Sequence, residues 1–154
     1  MLRAMTNDAT TAGWHAAGLW ILLGLFCFRV AAQLLVSVVP LPLLPAFDSW
    51  HSGVLPYPVL VAGQAVVLVV YVTIAMRVAT GRARPSRRLS WLFLLFGGAY
   101  FAFMAARLVL GLTWLRDSSW FHAPLPTVFH LVLASFLLLA GHFHFTRSQE
   151  ERSG

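Results

Sequence analysis

Apolar residues occur in this chain as four long runs, which short polar segments separate. The runs cover residues 14–39, 57–78, 89–112 and 124–145, so each has at least 22 residues. A helix needs about 20 apolar residues to cross a bilayer core, and the runs lack the alternating pattern of a membrane β-strand. The pattern predicts an all-α integral membrane protein, with four transmembrane helices in a single domain over residues 1–154.

The overall composition supports a membrane protein, and the sequence lacks the common catalytic motifs. The chain is 59% hydrophobic and 10% charged, whereas soluble domains carry roughly 25% charged residues. Its lone cysteine, Cys27, excludes an intramolecular disulfide and a thiol-based zinc site. The sequence contains no nucleophile elbow, no Gly-rich phosphate loop and no HExxH motif. These observations favour a non-catalytic protein.

The distribution of arginines predicts how the helices are oriented. Among the connections, the segment 79–88 with its flanks carries five arginines, while residues 40–56 contain no Lys or Arg and residues 113–123 contain one arginine beside an aspartate. Short basic connections stay in the cytoplasm. The basic connection and both termini are therefore expected inside, with residues 40–56 and 113–123 outside. The absence of an organelle-targeting leader favours a bacterial inner membrane. Nucleic acid is not an expected partner, because the arginine-rich segment lacks the interleaved aromatics that bind nucleic acid.

Two connections resemble one another. The stretch "WHSGVLPYPVL" from Trp50 parallels "WFHAPLPTVFH" from Trp120, and in both a Leu-Pro pair follows the tryptophan by five and six residues. This parallel predicts two helical hairpins in an up-down-up-down bundle, related by a pseudo-two-fold axis along the membrane normal. Interface tryptophans and prolines at helix starts would give the same pattern without a repeat.

Polar residues inside the apolar runs are the candidate functional residues. Arg29 and Gln33 lie four residues apart and so share a helix face. Gln64, Arg107 and His130 are expected at a similar depth in the other three helices. A charged side chain inside a bilayer costs about 3 kcal/mol on insertion scales and normally faces a partner or a cavity. We therefore predict one polar cluster of these five residues in the outer half of the bundle.

The charge of this cluster indicates the chemistry of a guest molecule. The four runs contain no acidic residue, and Asp48 in the first outer connection is the nearest candidate to neutralise the arginines. Asp48 and His51 are expected to lie over the outer end of the bundle. Arginines without an internal acid favour an anionic or carbonyl-bearing guest, such as a lipid headgroup or a quinone. Hydrogen bonding between the helices alone is the competing interpretation.

The histidines raise a further alternative, a haem-binding redox protein. His130 and His144 are fourteen residues apart, which places them roughly 21 Å apart along a helix and near one face. This spacing would suit two haems, with His15 as the partner of His144 and His51 or His122 as the partner of His130. A surface metal site formed by Asp48, His51 and His122 is a second possibility.

The sequence thus predicts location better than biochemical activity. The preferred hypothesis is a small, non-catalytic membrane module that binds a lipid or quinone, or that serves as an accessory subunit of a membrane complex. Its expected partners are membrane lipids, other membrane subunits or further copies of itself.

Overall fold

Four α-helices make up the described part of the chain. The computed structural model describes residues 2–39, 44, 45, 50, 56–115 and 124–153. The helices are α1 (Leu2–Val38), α2 (Tyr57–Ala79), α3 (Arg87–Leu112) and α4 (Pro124–Ser153). Each contains a segment long and apolar enough to cross a membrane, namely Gly13–Val38, Tyr57–Ala79, Arg87–Leu112 and Pro124–Arg152. The prediction of four apolar helices long enough to span a membrane is confirmed.

Two helices extend beyond the apolar runs of the sequence, and local residues explain the ends of the other two. α1 begins before its apolar part and α4 continues past it, because polar residues are compatible with a helix outside a bilayer. α2 ends before Gly81, whose φ of 67° is accessible to glycine at little cost. α3 begins after Ser86, whose side chain accepts a hydrogen bond from the Leu89 backbone N–H. The basic connection is therefore 80–86.

The closest packing joins α3 and α4. Glycines allow it: a Cβ added at Gly141 would lie 3.0 Å from the backbone N of Leu94, and one at Gly97 would lie 3.2 Å from that of Leu138. The Ser90 hydroxyl donates to the Gly141 carbonyl at 3.0 Å across the same contact. Small residues that let helix backbones approach one another are typical of membrane helix pairs.

Helices α1, α2 and α4 share an apolar core near the basic connection. α1 packs against both α2 and α4, and Leu19 and Leu23 of α1 are buried in this core. Tyr71 of α2 stacks on Phe136 of α4 with 4.0 Å between ring centroids, and its hydroxyl donates to the Leu133 carbonyl at 3.0 Å. α4 therefore contacts all three other helices, and its side chains link the two halves of the bundle.

The outer surface of the helices is strongly apolar. Phe28, Val69 and Leu95 are each more than 60% exposed, a pattern that a water-soluble monomer rarely shows over a continuous surface. Exposed tryptophans lie near the ends of the spans, with Trp14 80% and Trp114 87% exposed. Tryptophan is enriched at that level in membrane proteins. Lipid would cover this surface.

Candidate functional site

Arg29 lies at the centre of a buried polar group near the end of α1 that leads into the connection 40–56. Its side chain is 6% exposed. Nη1 donates to Gln33 Oε1 at 2.8 Å, and Nη2 donates to the backbone carbonyl of Trp50 at 2.8 Å. The guanidinium carbon also lies 5.6 Å from the centroid of the Phe129 ring, within the range of a cation–π contact. We call Arg29, Gln33, Gln64 and Trp50 the Arg29 cluster.

The amide of Gln33 has an orientation that its neighbours determine. Its Oε1 accepts from Arg29 and also from Gln64 Nε2, the latter at 3.1 Å. Because a guanidinium can only donate, the atom facing Arg29 must be the carbonyl oxygen. The NH₂ group of Gln33 therefore points elsewhere. Among the described residues, Gln33 Nε2 and Gln64 Oε1 have no hydrogen-bond partner, although both side chains are buried.

Trp50 has a different role from the interface anchor that the sequence pattern indicates. It is 3% exposed and packs against Ala32 and Val36 of α1. Its indole N–H donates to the Pro45 carbonyl at 3.0 Å. The indole N–H and the backbone carbonyl of Trp50 are thus both used inside the protein, and the carbonyl accepts a hydrogen bond from Arg29. Exposed Trp114 lies where an interface anchor belongs.

A second polar group joins α3 to α4 and lies beside the Arg29 cluster. The Tyr100 hydroxyl and His130 Nδ1 are 2.6 Å apart, which is a short hydrogen bond. His130 directly follows Phe129, and it lies close enough to both Arg29 and Arg107 for their charges to act on it. Arg107 is 5% exposed and lies two helical turns from Tyr100 on α3. Of the five polar residues predicted from the helices, Arg29, Gln33 and Gln64 are joined by hydrogen bonds. His130 lies beside them on α4 and bonds to Tyr100, and Arg107 is buried on α3.

The charged side chains described in this region are arginines, and the hydrogen-bond acceptors described for Arg29 are neutral. The five acidic residues of the chain are Asp8, Asp48, Asp117, Glu150 and Glu151. Glu150 and Glu151 lie near the other end of α4, where Glu150 pairs with Arg147 at 3.2 Å. In the described ranges, no carboxylate lies at the level of Arg29. Asp48, predicted to face the cluster, lies outside those residues, as do His51 and His122.

The histidines near the basic connection are arranged differently from the haem hypothesis. His15 Nε2 and His142 Nδ1 are 2.9 Å apart, and the two rings stack with 5.2 Å between centroids. The sequence had paired His15 with His144, but His144 packs between Phe93 and Phe143. A ring in direct contact with another imidazole has no space for an iron between the two nitrogens. Within the described chain, no three His, Cys, Asp or Glu side chains are placed to hold a metal ion.

A groove of about 490 Å³ lies at the same end of the bundle as these histidines. Its apolar wall includes Val78, Pro85 and Phe143, and Arg147 and Glu150 line its polar side. Phe143 is fourteen residues from Phe129 along α4, which corresponds to about 21 Å. The groove is thus separate from the Arg29 cluster.

Sequence reasoning found the charged and amide side chains of the site but missed two contributors. Neither the Trp50 carbonyl nor the Phe129 ring was a candidate. A backbone carbonyl gives no signal in a sequence, and one phenylalanine among twelve is indistinguishable from those that face lipid. Tyr100 can be identified from the sequence as a neighbour of the cluster, since it lies two helical turns from Arg107 on the same helix face.

No family model, curated protein or solved structure matches the chain.

Proposed function

We propose that this chain is a small, non-catalytic membrane module whose Arg29 cluster binds an anionic or carbonyl-bearing guest, either a lipid headgroup or a quinone. It would act alone or as an accessory subunit of a membrane complex. The observation that carries the proposal is the burial of the Arg29 guanidinium against neutral acceptors, with a second buried arginine nearby. A cation in such a position gains from a partner that carries negative charge or a strong acceptor.

The proposed arrangement in the membrane consists of two helical hairpins in an up-down-up-down bundle. The packing of α1 on α2 and of α3 on α4 is consistent with this arrangement. The basic connection 80–86 and both termini would lie in the cytoplasm of a bacterial cell, because arginines concentrate there. The Arg29 cluster would then lie in the outer half of the bilayer, about 14 Å from the end of α1 at Val38.

Geometry supports a guest near Arg29 better than it supports haem. A haem in a membrane bundle requires two axial histidines at the same depth in the bilayer, with space for the iron between their nitrogens. His130 instead bonds to Tyr100, and His15 contacts His142 directly. The alternative of haem ligation through His51 or His122 involves residues outside the described part.

Mass spectrometry of co-purifying small molecules tests the proposal. The wild-type protein, purified in mild detergent, should retain a specific lipid or quinone. Arg29→Gln should lose most of this molecule, because glutamine can hydrogen bond but carries no charge. Arg82→Gln is the matched control, since Arg82 is an exposed arginine of the basic connection and its loss should leave the guest in place.

Two results would overturn the proposal. One is wild-type protein whose lipid and quinone content equals that of the surrounding detergent extract. The other is an Arg29→Gln variant that keeps the helicity and the guest of the wild type. Circular dichroism and size-exclusion chromatography of each variant separate loss of the guest from loss of the fold, and Arg29→Lys should restore part of the binding.

A further inference from the structure

The amides of Gln33 and Gln64 define the chemistry of the group that would complete the Arg29 cluster. One bond joins them, from Gln64 Nε2 to Gln33 Oε1. This bond leaves an N–H donor on Gln33 and a carbonyl acceptor on Gln64, both without a partner among the described residues. Gln33 is 0% exposed and Gln64 is 7% exposed. Leaving a buried donor or acceptor unpaired is costly, so neighbouring groups of both kinds favour a partner that serves both.

Few chemical groups can serve both amides at once. A quinone carbonyl, a carboxylate or a phosphodiester oxygen accepts hydrogen bonds but donates none, so it would pair with Gln33 and leave Gln64 Oε1 unpaired. An ammonium group donates only and would leave Gln33 unpaired. A hydroxyl group accepts with its lone pairs and donates its proton. It is therefore the simplest group that satisfies both amides.

We propose that the guest of the Arg29 cluster presents a hydroxyl group to the Gln33–Gln64 amide pair, accepting from Gln33 Nε2 and donating to Gln64 Oε1. The inference rests on the proposed function and specifies the ligand. Phosphoglycerol lipids and quinols are two kinds of membrane molecule that carry such a group. A phosphoglycerol headgroup combines a free alcohol with an anionic phosphodiester that suits Arg29. A quinol, the reduced form of a quinone, presents one phenolic hydroxyl to the amide pair, and the oxygen of its second hydroxyl can accept a hydrogen bond from Arg29 in place of the quinone carbonyl.

Two matched pairs of probes test this inference with the full-length protein. The lipid pair is palmitoyl-oleoyl phosphatidylglycerol and phosphatidylmethanol with the same acyl chains, which has the same charge but no free alcohol. The quinone pair is decylbenzoquinol, kept reduced under anaerobic conditions, and decylbenzoquinone. Native mass spectrometry of the delipidated protein measures the lipids, and equilibrium dialysis measures the quinone pair.

In at least one pair, the hydroxyl-bearing member should bind about tenfold more tightly than its partner. The pair that shows the preference identifies the source of the hydroxyl. Gln64→Met removes the acceptor at nearly constant volume, so it should reduce that ratio to about one through weaker binding of the hydroxyl-bearing member. Gln149→Met, in the exposed part of α4, should leave the ratio unchanged.

Equal affinities within both pairs would overturn the inference and leave the proposed function standing, since a water molecule could then bridge the two amides. A preference that persists in Gln64→Met would also overturn it, because the hydroxyl would have another acceptor. If none of the four probes binds, the proposed function fails and this inference fails with it.

Discussion

The guanidinium of Arg29 donates a 2.8 Å hydrogen bond to the backbone carbonyl of Trp50, twenty-one residues further along the chain. This bond connects the interior of α1 to the connection that leads into α2. The Trp50 side chain is buried beside it, with its indole N–H bonded to the Pro45 carbonyl. Trp50 therefore forms one wall of the polar cluster, and the packing of its side chain determines whether its carbonyl reaches Arg29.

Truncation of Trp50 should destabilise the protein more than truncation of an exposed tryptophan. Buried Phe or Trp to Ala substitutions cost about 3–5 kcal/mol, and we expect about 3 kcal/mol for Trp50→Ala because lipid can replace part of the lost contact. Trp50→Phe keeps most of the packing but loses the N–H bond, which should cost about 1 kcal/mol. Unfolding by sodium dodecyl sulfate in mixed micelles measures both free energies.

Trp114 provides the control for these substitutions because its side chain is 87% exposed. Trp114→Ala should change the unfolding free energy by no more than about 0.5 kcal/mol. Equal costs for Trp50→Ala and Trp114→Ala would show that the Trp50 side chain does not pack against α1 as described.

The α3–α4 contact should be sensitive to single methyl groups. A Cβ at Gly141 would lie 2.9 Å from Leu94 Cγ and 3.0 Å from its backbone N, so the helices must separate. Gly24 has no neighbour within 4 Å of the same position, and it therefore controls for the gain in helix propensity, about 1 kcal/mol. Gly141→Ala should be less stable than Gly24→Ala by about 1–3 kcal/mol in the same unfolding assay. Equal stability of the two variants would contradict the close approach.

The sequence predicted the four apolar helices because a bilayer demands long apolar runs, and it predicted Arg29, Gln33 and Gln64 as neighbours because polar residues in such runs seek one another. The helix ends were less predictable. An apolar run predicts only the part of a helix that can lie within a membrane, whereas α1 and α4 continue into polar sequence. The pairing of His15 with His142 was missed because residues two apart on α4 face different sides, and the helix spacing alone does not show which side α1 occupies.

The orientation of the bundle can be tested with a matched pair of cysteines. Cys27 is the lone cysteine and is exposed on α1, so Cys27→Ala gives a cysteine-free background. Thr80→Cys then reports on the basic connection and Thr113→Cys on the end of α3, without a change in charge. A membrane-impermeant maleimide should label Thr113→Cys in cells with a permeable outer membrane and an intact inner membrane. It should label Thr80→Cys only after the inner membrane is lysed. The reverse pattern would contradict the cytoplasmic placement of the arginines.

The hydrogen bond between Tyr100 and His130 should stabilise the α3–α4 pair by a measurable coupling energy. The two side chains face each other across the helices at 2.6 Å, and couplings of this kind in membrane proteins average about 0.6 kcal/mol and reach about 1.7 kcal/mol. A double-mutant cycle of Tyr100→Phe and His130→Leu, which conserve most of the apolar volume, isolates this energy from the separate cost of each substitution. We expect a coupling in the upper part of the range, because the bond is short and both residues lie within apolar spans. Thr73→Val provides the control partner, since the Thr73 hydroxyl bonds to Val69 within α2, and its effect should add to that of His130→Leu within about 0.5 kcal/mol. A Tyr100–His130 coupling no larger than this control value would show that the two side chains do not depend on one another. The polar region would then divide into a site around Arg29 and an independent group on α3.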